Sequence, residues 1–326
     1  MSKSNLLIAV IICSHNPRKV FLNRVLASLQ AQTLLLSQWE LLLIDNISNS
    51  TLASEFDLSW HPNGRHISEM TPGLTPARLR GIHEATADLL VFVDDDNVLE
   101  ANYLEQASFI SKNWPMLGAW GGQIRPEFEH QPPEWTRRYW KSLAIREFDK
   151  DQWSNLVHQS KTTPYGAGLC VRKYVAERYR QVVLEDSRRL NLDRKGQLLT
   201  SCGDLDLAYT ACDIGLGTGL FTALQMTHLI PSARLEESYL LRLVEGTRYS
   251  KIILNSFRGS YPHKSTLRYR ISQYIKRLRM NKRQRRFFDA DNRGRDQAIK
   301  ELFQQNNSLA ESRNSCERST RNQHAG

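Results

Sequence analysis

The chain has 326 residues, 40% hydrophobic and 24% charged, which is enough apolar mass for a sizeable core. This excludes a disordered, fibrous or disulfide-built protein, and the longest apolar run, residues 6–13, is too short to cross a bilayer as a helix. The net charge of +10 is uneven, because residues 251–326 hold 18 Lys and Arg against 6 Asp and Glu while the first 250 are near neutral. Basic charge confined to one end does not describe a nucleic-acid binder whose whole folded surface is positive. The five cysteines are odd in number and lack Cys-x-x-Cys spacing, and the first residues enter an apolar run without a signal-like leader. Both features predict a reducing, cytoplasmic location.

Residues 6–13, 40–44 and 89–93 have the apolar density of strands covered on both faces. Between them, 19–32, 75–87 and 102–113 carry helical periodicity, with Pro17 ahead of the first helix and Pro76 in the opening turn of the second. This alternation predicts βαβ units feeding a mostly parallel sheet. The strand ends carry Ser14-His15-Asn16, Asp45-Asn46 and Asp94-Asp95-Asp96-Asn97. Ligands of open α/β sheets bind outside the carboxyl ends of the strands, so these three junctions are expected to line one crevice.

Residues 125–163 are rich in Pro, Trp and Tyr and too apolar for a free linker. Trp135, Tyr139, Trp140 and Trp153 there either pack a small second core or offer flat faces to sugar rings. Regular structure is expected again at 165–171, in a helix over 204–213 closed by Gly215, in a strand over 220–227 and in a helix over 232–246. Residues 267–279 place Leu267, Ile271, Tyr274, Ile275 and Leu278 at helical spacing among Arg268, Arg270, Lys276, Arg277 and Arg279, a basic amphipathic helix. Three readings follow for it: an interfacial helix on anionic lipid, a packing helix with a solvated face and, weakest, nucleic-acid binding. Beyond Gly294 the polar composition predicts disorder.

The strongest chemical signal is Asp94-Asp95-Asp96 at the end of a buried-type strand. Adjacent anions repel, so the cluster needs a cation or strong donors, and a hard divalent metal, Mg²⁺ or Mn²⁺, held with a diphosphate would supply one. The bland reading is a solvated turn capping the next helix. Asp45 could accept hydrogen bonds from a nucleobase or ribose, with Ser14 and Asn16 beside it, and Arg78 could set a guanidinium against a diphosphate or base. Helix capping and a surface ion pair are the plainer alternatives for Ser14 and Arg78. Asp204, one residue after Gly203, could reach a cleft as a general base, or simply cap its helix. Asp206 reads as a first-turn acid complementing the helix dipole, and His228 could add a nitrogen ligand to the same metal, a lone histidine being more often a structural residue.

Taken together, residues 6–248 resemble a family 2 inverting glycosyltransferase of the A-type fold. Ile12-Cys13-Ser14-His15-Asn16 resembles its nucleotide-binding turn, Leu43-Ile44-Asp45-Asn46 its second acidic strand end, and Gly73 with Ala77-Arg78 its Gly-rich helix start. Asp94-Asp95-Asp96 is similar to its Asp-x-Asp signature, Gly166-Ala167-Gly168 to its donor-facing glycine turn, and Cys202-Gly203-Asp204 stands where the family shows Gly-Glu-Asp. The resemblance implies a Rossmann-like nucleotide-binding mixed sheet flanked by helices, in an α/β fold with a basic helical C-terminal extension. It implies a nucleotide-diphosphate sugar donor, most often UDP-linked, with Mg²⁺ or Mn²⁺ as cofactor. Ser14, Asn16, Asp45, Arg78, Asp94, Asp95, Gly166 and Gly168 would then face the donor, Asp96 and His228 the metal, and Asp204 would deprotonate a hydroxyl of a glycan or lipid-linked acceptor.

The chain departs from the family pattern in having Gly203 where a Glu is expected, so the assignment of Asp204 depends on the register Cys202-Gly203-Asp204, with Asp206 as the fallback base. It also lacks the Gln-x-x-Arg-Trp motif and membrane spans of processive synthases, which predicts transfer of one or a few sugars. The expected organisation is a catalytic region over 1–250, with a nucleotide-sugar half over 1–124 and an acceptor half over 125–250. A basic extension over 251–293 and a disordered tail over 294–326 follow, the whole cytoplasmic and peripheral on the inner face of the cell membrane. Two rivals remain: a sugar nucleotidyltransferase, for which Ser14-His15-Asn16-Pro17 is a poor phosphate loop, and an inactive sugar- or lipid-binding scaffold of the same fold.

Overall fold

The computed structural model describes residues 6–157, 161–194, 199–262 and 266–323, with side chains described as far as 304. The first five residues, expected to lead into the opening strand, and the last three of the expected tail lie outside the described residues. Two compact units are formed, Met1–Leu240 and Leu241–Gly326.

The first unit opens with β1 (Ile8–Ser14), α1 (Lys19–Gln30), β2 (Trp39–Asp45), a single turn α2 (Leu52–Glu55), β3 (Gly64–Ser68) and α3 (Leu74–Glu84). It continues through β4 (Leu89–Val93), β5 (Asn97–Leu99), α4 (Tyr103–Asn113), β6 (Leu117–Phe128) and β7 (Gln152–Ser154). Then come β8 (Leu169–Arg172), α5 (Lys173–Glu185), α6 (Gly203–Asp213) and β9 (Gly217–Ile230). These strands form one mixed nine-stranded sheet in the order β3-β2-β1-β4-β8-β6-β9-β5, with β7 paired to β9. The first four are mutually parallel, and β8 runs antiparallel to both β4 and β6.

The apolar strand runs are explained by burial on both faces. Ile8, Val10 and Ile12 join one core with Leu22, Val25 and Leu29 of α1 and Tyr103, Leu104 and Ala107 of α4. Ala9 and Ile11 point the other way, into a core with Ala77 and Ile82 of α3, Val175 and Tyr179 of α5 and Leu207 of α6. A strand whose alternate residues both meet helices has no use for a polar face, hence the unbroken run. The layering is tight at Gly81, where any Cβ would collide with Ile11.

Two expected elements differ. The helix expected over 232–246 starts as a 3-10 turn, Ser232–Leu235, and the α-helix α7 (Glu237–Ser256) begins only after Glu236, whose extended backbone interrupts the rise. The disorder expected from 294 is replaced by α9 (Lys282–Gln323), which follows α8 (Leu267–Leu278). Its polar composition hides a narrow stripe: Phe287, Ala290, Ala298 and Leu302 are buried, and the backbone of Gly294 lies against the Glu245 carbonyl of α7 where a side chain would not fit. Arg293 pairs with Glu245 at 2.7 Å and the Tyr249 hydroxyl donates to Glu301 at 2.5 Å along the same contact.

Gly81→Val is expected to lower stability by about 1–3 kcal/mol by forcing α3 off the sheet. A wild-type midpoint in urea denaturation would show that the helix can lift without cost.

Candidate active site

Parallel pairing brings the chemistry of three distant segments to one rim. In register, Ser14 at the end of β1 pairs with Asp45 of β2, and Ile12 pairs with Val93 of β4, so the strands finish together and Asp94-Asp95-Asp96 emerges beside Ser14. The chain leaves β1 toward β2 on one side and reaches β4 on the other, the switch point at which such sheets open a crevice. A cleft of about 650 Å³ opens there, lined by Ser14, Arg78, Asp94, Asp95, Asp96, Gly166, Asp204 and His228 among the expected residues, and also by Asp193 and Arg234.

One wall is the acidic cluster. The Ser14 hydroxyl donates to Asp95 at 2.5 Å, and burial, reinforced by the neighbouring Asp96, pushes the Asp95 carboxyl up to about 7. Burial also raises Asp94, against the pull of Arg78. Asp96 is buried too, but His228 and Arg234 outweigh the desolvation and hold it well below the usual carboxylate range. His228 reaches Asp96 because β5 and β9 pair antiparallel with Asn97 opposite His228. Its Nε2 lies 3.5 Å from Asp96 Oδ2, and its buried Nδ1 has no hydrogen-bond partner among the described residues. Arg234, from the turn after β9, donates from Nη1 to Asp96 at 2.9 Å and to His228 Nε2 at 3.0 Å.

The opposite wall is built on α6. Asp204 accepts from the Gly166 amide at 2.7 Å and the Leu205 amide at 2.8 Å, and burial raises its carboxyl above the usual range although Arg78 pulls it down. Asp206, two residues on and on the other side of the helix, is fully buried and bonded through both oxygens to Arg189 at 2.5 and 2.7 Å, a structural pair that leaves the cleft to Asp204. Gly166 packs between Arg78 and Asp204, where a Cβ would lie 2.6 Å from the guanidinium.

Between the walls, Arg78 donates to Asp193 at 2.8 Å, with the two side chains only 6% and 5% exposed. Asp193 also accepts from the Thr75 hydroxyl at 3.1 Å and from the Gly203 amide at 3.0 Å, joining α3 to the start of α6. This accounts for the family's missing Glu. A Cβ at 203 would overlap the Asp193 carboxylate, so the position has room only for glycine.

Three expected donor residues do not line the cleft. Asp45 accepts from the Ser48 amide at 2.9 Å and the Leu52 amide at 3.0 Å, which holds the turn into α2 and lowers its carboxyl despite partial burial. Asn16, at φ +50°, accepts from the Asn49 amide at 2.8 Å and ties the first two junctions together. Gly168, at φ +70°, accepts the Tyr103 hydroxyl at 2.6 Å through its carbonyl, and a Cβ there would sit 2.5 Å from that oxygen, so close packing explains the glycine. Asn46 instead reaches the cleft and accepts from the Gly73 amide at 2.8 Å, setting the start of α3. Sequence reasoning missed Asp193 and Arg234, since one lies in a charged loop and the other in a short turn, neither with a motif. The aromatic stretch is partly self-packed, with Trp140 on Phe128 at 5.0 Å and Trp135 on Tyr139 at 6.3 Å, while Trp153 stays half exposed.

Among described residues no helix is long and apolar enough to cross a membrane, and no group of three or more His, Cys, Asp or Glu is arranged to hold a metal by itself. No curated protein matches the chain. Among solved structures it is similar to S. aureus TarS, at 12% identity over 85% of this chain and 46% of that one with a TM-score of 0.48. It is also similar to S. aureus TarS 1–349 in complex with UDP-GlcNAc, at 14% identity over 87% and 79% with a TM-score of 0.49. The chain thus spans less than half the length of the longer TarS chain. Residues 9–172 match the family described as glycosyl transferase family 2. That match takes in half of the chain, including the strand ends that carry Ser14 and Asp94-Asp95-Asp96, and the chain belongs to glycosyl transferase family 2.

Proposed function

We propose that the chain moves one sugar from a nucleotide-diphosphate donor, UDP-linked, to a hydroxyl of a glycan or lipid-linked acceptor, with inversion at the anomeric carbon and without processive chain growth. The observation that carries the reading is the meeting in one cleft of an acidic strand end with its cationic partners on one wall and a buried, upward-shifted Asp204 on the other. The cleft volume, about 650 Å³, suits a nucleotide sugar.

Asp96 Oδ2 and His228 Nε2, 3.5 Å apart, are an oxygen and a nitrogen close enough to share an ion whose other ligands are diphosphate oxygens and water, once Arg234 Nη1, which now donates to both, turns to the diphosphate. Asp96 and His228 would hold Mg²⁺ or Mn²⁺, which when bound supplies Lewis acidity to the departing diphosphate. Arg234 already bridges Asp96 and His228, so its guanidinium adds positive charge where the leaving group gathers negative charge. Ser14 holds Asp95, and Arg78 keeps a positive charge between the acids of both walls.

Asp204 accepts the proton of the acceptor hydroxyl. The hydroxyl oxygen bonds to the anomeric carbon as the bond to the diphosphate breaks, and the electron pair leaves with the nucleotide. The two amide donors fix the Asp204 carboxylate without neutralising it, and burial raises its basicity. Because its folded pKa is raised, Asp204 is active only above that value, and activity is lost as pH falls through it.

Asp204→Asn is expected to reduce turnover by about 10²–10⁴-fold while leaving affinity for UDP unchanged in calorimetry. In the wild type, the acid limb of kcat/KM should fall at a pH above that of an ordinary aspartate. Asp206→Asn should do the reverse, lowering stability by about 3 kcal/mol or more through loss of the buried ion pair, with turnover per folded molecule retained. Asp96→Ala should weaken Mn²⁺-dependent UDP binding by at least about tenfold. Equal affinity of the wild type for UDP in Mn²⁺ and in EDTA would remove the cation, and tighter binding of GDP or dTDP would replace the donor.

A further inference from the structure

The second unit contains a helix whose apolar face is exposed among the described residues. In α8, Leu267, Ile271, Tyr274, Ile275 and Leu278 are each between 45% and 71% exposed, and no residue of the helix is buried. At 3.6 residues per turn these five side chains share an arc of about 100°. Arg268 and Arg279 border one edge of that arc and Arg270 and Arg277 the other. The Thr266 hydroxyl caps the helix by accepting the Tyr269 amide at 3.3 Å, and Arg277, at one edge of the arc, is anchored to Asp289 of α9 at 2.7 Å, which leaves Arg268, Arg270 and Arg279 along the borders. From 267 to 286 the chain carries nine Lys and Arg and no Asp or Glu.

We infer that α8 is a docking surface for an anionic phospholipid bilayer, lying in the interface with its apolar arc inserted and its bordering arginines among the headgroups. An exposed apolar stripe in water is unfavourable, and a partner must accept it together with an unbroken run of positive charge. A bilayer interface does both, since arginine stems lie along the apolar boundary while their guanidinium groups reach phosphate. A second copy of the chain meets the apolar stripe but brings an equally basic surface with it. A nucleic acid meets the charge but has no use for five apolar side chains. Charge complementarity combined with the exposed stripe therefore selects the lipid surface, independently of the reaction assigned to the cleft.

The test is co-sedimentation of the full chain with vesicles of phosphatidylcholine alone and with added phosphatidylglycerol, at low and high salt. Binding is expected only to the anionic vesicles and should weaken with salt. Each basic residue near such a surface contributes about fivefold in partitioning, so Arg268→Gln/Arg270→Gln/Arg279→Gln should lose about a hundredfold. Ile271→Ser/Ile275→Ser, at exposed positions that leave the fold intact, should lose binding with its charge unchanged. Equal binding to neutral and anionic vesicles, or an Ile271→Ser/Ile275→Ser chain that sediments like the wild type, would overturn the inference. So would tighter binding to a 20-base-pair DNA duplex than to vesicles, or a concentration-dependent dimer abolished by Ile271→Ser/Ile275→Ser. UDP affinity serves as the control, because α8 takes no part in the cleft: its absence in the wild type would count against the donor while leaving the vesicle result readable.

Discussion

The buried pair between Arg78 and Asp193 holds the cleft in its present form. A guanidinium almost wholly removed from water needs a partner, and Asp193 provides one at 2.8 Å. The carboxylate is shared with the Thr75 hydroxyl at the head of α3 and the Gly203 amide at the head of α6. Arg78 in turn lies against Gly166, whose amide donates to Asp204. The contact thus fixes the helix that starts at Gly73, the turn that passes Gly166 and the helix that carries Asp204. Its positive charge also moderates the upward shifts of Asp94 and Asp204, which would otherwise be larger in so enclosed a place.

The acidic strand end is tolerated for a related reason. Three consecutive carboxylates at one buried turn repel one another, and the fold distributes them among different partners. Asp95 takes the Ser14 hydroxyl, Asp96 takes Arg234, His228 and the Asn97 amide group, and Asp94 faces Arg78. The result is a graded row in which Asp96 stays ionised and Asp95 is pushed upward. The grading comes from tertiary contacts and would be absent from an isolated turn.

How far this was legible from sequence differs by contact range. The strands β1, β2 and β4 announced themselves because burial on both faces demands unbroken apolar runs, and Ser14, Asp94, Asp95 and Asp96 followed from their ends. Asp204 was legible because Gly203 and Asp206 flank it in a recognisable helix start. His228 had only its strand to point to it, since its meeting with Asp96 depends on β5 and β9 pairing between segments far apart in the chain, Asn97 opposite His228. Asp193 and Arg234 carry no local signal at all: each acquires its role from a partner on another element. Gly168 misled in the other direction, as a turn glycine read for a ligand is explained by the hydroxyl of Tyr103. The order in α9 was hidden because two small residues, Ala290 and Ala298, and a bare glycine do the packing that larger apolar residues usually advertise.

The meeting of Gly203 with Asp193 has a further consequence for how this chain can vary. Because a side chain at 203 and the carboxylate at 193 claim the same volume, an acidic residue can be present at one position or the other but not at both. Neither change is tolerable first: an acid added at 203 overcrowds the head of α6, and an acid lost at 193 strands the charge of Arg78. The two positions are locked in a pair whose members must change together, so descendants of this chain would be confined to one arrangement of the same charge, carried by a loop rather than by the helix that bears Asp204.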